Sequence, residues 1–228
     1  KGVRTGVLLG TLATLIMLPI AVTLGVMAGY FKGWVDDLVQ YLYTTLSSIP
    51  GILLIAASVL LFQVYIDINP DFFSLGIEKA DARFIALCFI LGVTSWSTLC
   101  RLIRAETLKI SQLEYVQAAH AFGVSHARVL GRHIVPNVVH IILITFVLDF
   151  SALVLAEAVL SYIGVGIDPS MGSWGNMING ARAELSREPA VWWTLTGAFF
   201  FMFTIVLAAN LFSDLVRDAF DPRTNVQR

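Results

Sequence analysis

The chain has 228 residues, 57% of them hydrophobic and 14% charged, with a formal net charge of -1. Soluble domains average about 45–50% apolar and about 25% charged residues, so this composition, with a mean hydropathy of +0.78, points to a membrane protein. The near-neutral charge argues against nucleic acid as a partner.

Residues 5–31 form the first candidate span and carry no charge. The apolar run is too long for a signal-peptide core and no A-x-A-like cleavage site follows, so it reads as a true span. The second, 38–62, is also uncharged and contains Pro50, as the first contains Pro19. Proline kinks such helices, and membrane bundles tolerate it where neighbours compensate. The third, 83–103, is marginal, because its apolar part lies between Arg83 and Arg101 and a span needs about 20 residues. Its ends must extend past those arginines. Cys88 and Cys100 are twelve residues apart on it, roughly 18 Å along a helix. That is too far for a disulfide, and both read as packing residues.

A polar connection, 104–135, follows. Ser111 and Glu114 have capping-box spacing, and Gly123 suits a left-handed helix end, which predicts a helix of about ten residues. Such a helix is marginal alone in water and should dock on something. Glu114 and Gln117 share a face, Tyr115 and Phe122 share another, and Ala118 and Ala119 allow close approach. The helix is either a surface connector or a docking knob. It lacks the strong apolar moment and Lys/Arg face of an interfacial helix, which favours docking to a protein. Ser125 is placed to cap a second short helix, and Pro136 marks entry to the fourth span.

The fourth span, 136–160, contains Asp149 and Glu157. Carboxylates at membrane depth usually face a bundle interior or a water-filled path. From Pro136, Asp149 lies about 20 Å in and Glu157 about 32 Å. Either they line a translocation pathway, or they make structural bonds, with Glu157 at the interface. His120, His126, His133 and His140 are too widely spaced for one metal ion and read as solvated or interfacial. The stretch "SWGNM", Ser173 to Met177, stands next to a Pro/Gly-rich turn. It fits a surface segment meeting a partner through Trp174 and Asn176, or an aromatic anchor with Trp192 and Trp193. The fifth span is 189–213 and is uncharged.

No segment alternates polar and apolar residues as a membrane barrel would. The fold expected is an all-α polytopic bundle, one transmembrane domain over 1–228 with five spans. The connection between spans three and four holds Arg101, Arg104, Lys109, Arg128 and Arg132, and the one between spans two and three holds Asp67, Asp71, Glu78 and Asp81. The basic side, with the C-terminal tail, is expected to be cytoplasmic. The opening "KGVRTGVLLG" has no initiator Met, which leads us to expect a further segment upstream, with a sixth span. There is no P-loop, HExxH or GxSxG motif, so no catalytic residue, metal site or cofactor is assigned to this chain.

"QAAHAFGVSHARVLGRHIVP" resembles the cytoplasmic EAA loop of ABC importer permeases, a motif of Glu-Ala-Ala, three residues, Gly, nine residues, then Ile-x-Leu-Pro. Ala118, Ala119, Gly123 and Pro136 match it in register, while Gln117 replaces its Glu, His133 its Ile and Val135 its Leu. "AGYFKGWVDD", "SIPGILL", "LAEAVLSYIGVGIDPSMGSWGNMI" and "ANLFSDLVRDAFDPR" resemble the C-type subunit of the dipeptide/oligopeptide (and nickel) permease group over nearly the whole chain. The outer connection "FQVYIDINPDFFSLGIEKADAR" is longer and more acidic than that group's pattern. The resemblance implies a bacterial inner-membrane importer subunit for peptides, without enzymatic activity of its own. Glu114, Gln117, Ala118, Ala119 and Gly123 would form a coupling helix docked on one of two cytoplasmic ATPase subunits, which hold the ATP and Mg. A homologous permease would complete a heterodimer, and an extracytoplasmic solute-binding protein would dock at Trp174 and Asn176. A self-contained secondary transporter or channel is the other class considered. The chain shows no internal repeat of the kind such machines carry, and they need no docking helix.

Overall fold

The computed structural model describes residues 2–69 and 79–220 of the chain. Its elements are helical: α1 (Gly2–Phe31), α2 (Gly33–Ser47), α3 (Gly51–Ile68), α4 (Lys79–Ser95), α5 (Ser97–Ile110), α6 (Glu114–Ala121), α7 (His126–Val129), α8 (Val135–Tyr162), α9 (Trp174–Leu185) and α10 (Trp193–Phe220). A π-helical turn, Leu130–Ile134, joins α7 to α8. Five helical stretches among the described residues are long and apolar enough to span a membrane: Gly2–Phe31, Gly51–Ile68, Lys79–Ile110, His126–Tyr162 and Trp193–Ala219. This is the all-α polytopic bundle expected.

The second span differs from expectation. Residues 38–62 are not one helix. Pro50 lacks an N–H and disfavours helical geometry at Ile49, while the Ser48 hydroxyl donates to the Thr45 carbonyl (2.7 Å) and closes the preceding turn. The chain breaks at 48–50, so α3 is the spanning helix and α2 is too short to cross. Pro19, by contrast, leaves α1 unbroken. The third span extends past both arginines, as its length required, and is interrupted only at Trp96. Its arginines are partnered. Arg83 binds Asp67 (2.9 Å) and Asp168 (3.1 Å), Arg101 lies over the Tyr43 ring at 5.7 Å, and Arg104 pairs with Asp36.

α1 is the axis of the bundle, packed on α4, α5 and α8. Its buried positions, among them Leu9, Ala13, Met17, Ala21, Gly25 and Gly29, recur every three to four residues, the spacing of one helix face. Gly25 and Gly29 lie against the backbone of α5: a Cβ on each would meet Cys100 O at 2.8 Å and Arg104 O at 2.7 Å. This is the small-xxx-small contact that lets membrane helices approach closely. One core cluster gathers Met17, Ile103, Val116, Val129 and Ile134 around the inner half of α1. Another gathers Leu9, Leu87, Leu91, Leu153 and Leu160 around its outer half. α10 packs on α8 and α9 and exposes Phe200, Phe203 and Leu215, a face fit for lipid or another subunit. The stretch at 70–78 in the acidic outer connection and the end of "RDAFDPR" lie outside the described residues.

Candidate coupling surface and membrane-depth cavity

The polar connection folds into α6 and α7 at the end of the bundle where α1 finishes. α6 is eight residues long, and its start corrects the capping-box reading. Its N-cap position is Leu113, with no side-chain cap. The Ser111 hydroxyl donates backwards to Leu108 O (2.8 Å), because Ser111 is still helical at the end of α5 and the next turn must open before α6 begins. Gln117 Nε2 donates to Gln112 O (3.0 Å) and closes the gap instead. The far end forms as predicted. Gly123 has φ +75°, its N–H donates to His120 O (2.9 Å), and Val124 N–H donates to Ala119 O (3.0 Å). These are the two bonds of a Schellman motif.

One residue anchors this knob. Val116 is fully buried in the inner cluster. Glu114, Gln117, Ala118 and Gly123 are exposed, while Ala119 is partly turned to the core. Phe122 is 86% exposed, an apolar side chain held out from the end of a short helix.

Two long-range contacts were not legible in the sequence. The Tyr30 hydroxyl bonds both His120 Nε2 (3.0 Å) and His126 Nδ1 (2.8 Å), tying the end of α1 to the end of α6 and the start of α7. These histidines read as solvated or interfacial in isolation; the fold gives them a common partner. Among the described residues no group of three or more His, Cys, Asp or Glu side chains could hold a metal ion. Nearby, Arg104 Nε and Nη2 both bind the Asp36 carboxylate, Nη2 at 2.6 Å, joining α2 to α5. The hydrogen-bonded Arg104 guanidinium holds the Asp36 carboxyl below its ordinary range.

The two carboxylates of α8 are separated by the fold. Glu157 is fully buried and accepts from the Ser161 hydroxyl (2.7 Å), which in turn accepts from Ile167 N–H (3.2 Å). Through these bonds its Oε1 braces the turn after α8, while its Oε2 is buried with no hydrogen-bond partner. Asp149 lines a cavity of about 340 Å³ with Ser47, Thr94, Ser95, Ser97 and Thr98. Its Oδ2 is buried with no hydrogen-bond partner. The cavity sits where α2 breaks from α3 and α4 from α5. A larger groove of about 710 Å³ between α8 and α10 is lined by Leu155, Leu195, Phe199 and Phe203, and carries no charge.

The outer end is built on Trp174 and Asn176, and both turn inward. Trp174 is 1% exposed, with its ring against Gly6 of α1. Asn176 Nδ2 reaches the carbonyls of Ile167 (3.4 Å), Asp168 (3.0 Å) and Met171 (3.0 Å). The Ser173 hydroxyl caps α9 by accepting from Asn176 N–H (3.0 Å). Asp168 accepts from Ser170 N–H and its hydroxyl and faces Arg83, and together these hold its carboxyl below the ordinary value. Trp174 is therefore inside the loop, while the half-buried Asn176 holds its carbonyls together. Asn176→Ala is expected to cost about 1 kcal/mol, since it leaves part-buried carbonyls without their donor. Hydrogen exchange across 163–173 should rise; unchanged protection would show that other bonds hold this loop.

The model of the family described as "Binding-protein-dependent transport system inner membrane component" matches residues 21–226. The glutathione transport system permease protein GsiD of Pectobacterium atrosepticum is 32% identical over 97% of this chain and 67% of its own length. The oligopeptide transport system permease protein OppC of Mycobacterium bovis is 31% identical over 100% and 72%. The dipeptide transport system permease protein DppC of Bacillus subtilis is 30% identical over 97% and 63%. With five apolar spans among its described residues and an exposed helical knob, and matched over nearly all of its length, the chain thus belongs to the inner-membrane components of binding-protein-dependent transport systems, as a C-type permease subunit of an ABC importer.

Proposed function

We propose that this subunit carries peptides inward and that α6 is its coupling helix. The observation that carries the reading is the exposed face of α6: Glu114, Gln117, Ala118 and Phe122 stand out from the bundle while Val116 holds the helix to the spans. In this reading α6 sits in a groove on a cytoplasmic ATPase subunit, two of which bind ATP and Mg. A homologous permease forms the other half of the channel. A solute-binding protein docks at the opposite end, over the loop that Trp174 and Asn176 shape. Peptide as substrate rests on the names of the relatives. With the family established, the self-contained transporter or channel reading falls away.

Sidedness follows from charge. Arg101, Arg104, Lys109, Arg128 and Arg132 gather at the α6 end, which the positive-inside rule places in the cytoplasm. α10 runs back to that end, antiparallel to α8: Leu155 faces Leu195 and Phe199, while the Ser213 hydroxyl donates to Ile144 O (3.3 Å). The C-terminus is then cytoplasmic.

The test is ATP hydrolysis by the reconstituted full complex, with and without loaded binding protein. A Gly123→Pro, Glu114→Ala variant should lose stimulation by at least about fivefold, the lower range of allosteric coupling, while the subunits still copurify. Unchanged stimulation and uptake would reduce α6 to a connector.

A further inference from the structure

Two helix interruptions meet at one depth in the bundle, and one unpaired charge faces them. α2 stops at Ser47 and α3 restarts at Gly51; α4 stops at Ser95 and α5 restarts at Ser97. Non-helical backbone at membrane depth is tolerated where it is buried in protein or lines a cavity, and here it lines the cavity of about 340 Å³ that holds Asp149. That volume is in the range of small-ligand sites.

The chemistry of the lining selects a ligand. Asp149 is the one charged residue of the wall, and no Lys, Arg or His is among the lining residues, so the cavity repels anions. Its Oδ2 is buried without a partner, a costly state for a carboxylate unless something brings it a donor. The other polar side chains of the wall are all hydroxyls, and two of them already donate to other groups. Thr94 donates to Ile90 O (2.8 Å), and Ser47 donates to Ser97 Oγ (3.3 Å). Their free lone pairs make the wall a set of acceptors. A divalent metal is a poor match, since hard cations take six or more oxygen ligands, with several charged or carbonyl donors. A primary ammonium has three N–H donors and one charge, and fits one carboxylate among hydroxyls.

We propose that this cavity is an ammonium-binding subsite on the translocation path, with Asp149 as counter-charge and the hydroxyls of Ser47, Thr94 and Thr98 as further acceptors for the terminal amine of a passing peptide. The assignment rests on the peptide reading above. It makes the permease itself selective for a free amino terminus, independently of the binding protein.

The experiment measures uptake by the full complex in vesicles, at concentrations that saturate the binding protein, of trialanine and of N-acetyl-trialanine. Each is compared between the wild type and Asp149→Asn, so that the binding protein's own preference cancels. Trialanine uptake should fall about tenfold, the effect of losing a charge-assisted hydrogen bond. Uptake of the acetylated peptide and ATPase stimulation should hold. Equal losses on both peptides, or no loss on either, would overturn the subsite while leaving the importer intact. A wild type that imports neither peptide would overturn the peptide reading and the subsite with it. If Asp149→Asn does not assemble, Thr98→Val carries the same comparison: a smaller loss confined to trialanine supports the subsite, and an equal loss on both peptides overturns it.

Discussion

Gly29→Leu is expected to prevent the bundle from closing, with a loss of stability of at least about 3 kcal/mol, the upper range for overpacking a core. Gly25 and Gly29 are four residues apart on α1, and each meets a carbonyl on α5, Cys100 O and Arg104 O, also four residues apart. The two helices therefore touch backbone to backbone over a full turn. A side chain at Gly29 would strike a carbonyl and the Thr107 Cβ, and neither is the far end of a flexible group that can swing away. α1 would have to move off α5 as a unit, opening the inner cluster around Met17, Ile103 and Val116. Thermal unfolding in detergent and copurification of the partner subunits measure the effect. Gly180→Ala is the control: a Cβ there meets nothing within 4 Å, and alanine is the better helix former, so stability should hold or rise slightly. A Gly29→Leu midpoint equal to wild type would mean that α1 and α5 do not pack as described.

Arg104→Ala is expected to cost about 2–3 kcal/mol. Removing one partner of a fully buried pair costs about 3–5 kcal/mol because the other charge is stranded, and the residual exposure of this pair, 21% for Arg104 and 14% for Asp36, reduces that through solvent screening. Arg104→Lys should recover little, since one ammonium cannot reproduce the two-point grip of the guanidinium. The pH dependence has a definite sign. Arg104 lowers the carboxyl of Asp36 in the folded protein, so the pair's contribution is fully present above the ordinary carboxylate value of about 4 and fades as pH falls from there through the lowered folded value. Wild type should be more stable than Asp36→Asn at pH 7, and the difference should shrink in acid below about pH 4. A gap that persists there would mean that packing, not charge, accounts for the pair.

Some of this could be read before any fold was known. The apolar stretches, the absence of alternation and the Gly123 helix end are local properties, set by the bilayer's demand for satisfied backbone groups and by the one residue that enters φ > 0 without strain. The same local logic went wrong at Ser111, where a hydroxyl with two possible backbone partners took the carbonyl behind it. It was incomplete at Pro50, which was visible as a kink but acts as a full break. The Gly25-xxx-Gly29 contact needed the fold, since its meaning depends on which helix lies across it.

Hydropathy, charge asymmetry and the matched loop residues are what the sequence by itself determined: a membrane bundle of five spans with a polar knob on its basic side. The tertiary structure alone decided what each polar group does. Tyr30 meets His120 and His126 across 90 and 96 residues, and Asp36 meets Arg104 across 68. Trp174 goes inside against Gly6, Glu157 into the turn after α8, and Asp149 to the cavity between the broken helices. The physical reason is that span formation is a negotiation between a segment and lipid, settled residue by residue. The partner of a buried hydroxyl, imidazole or carboxylate is whichever group the packing of distant helices brings within about 3 Å.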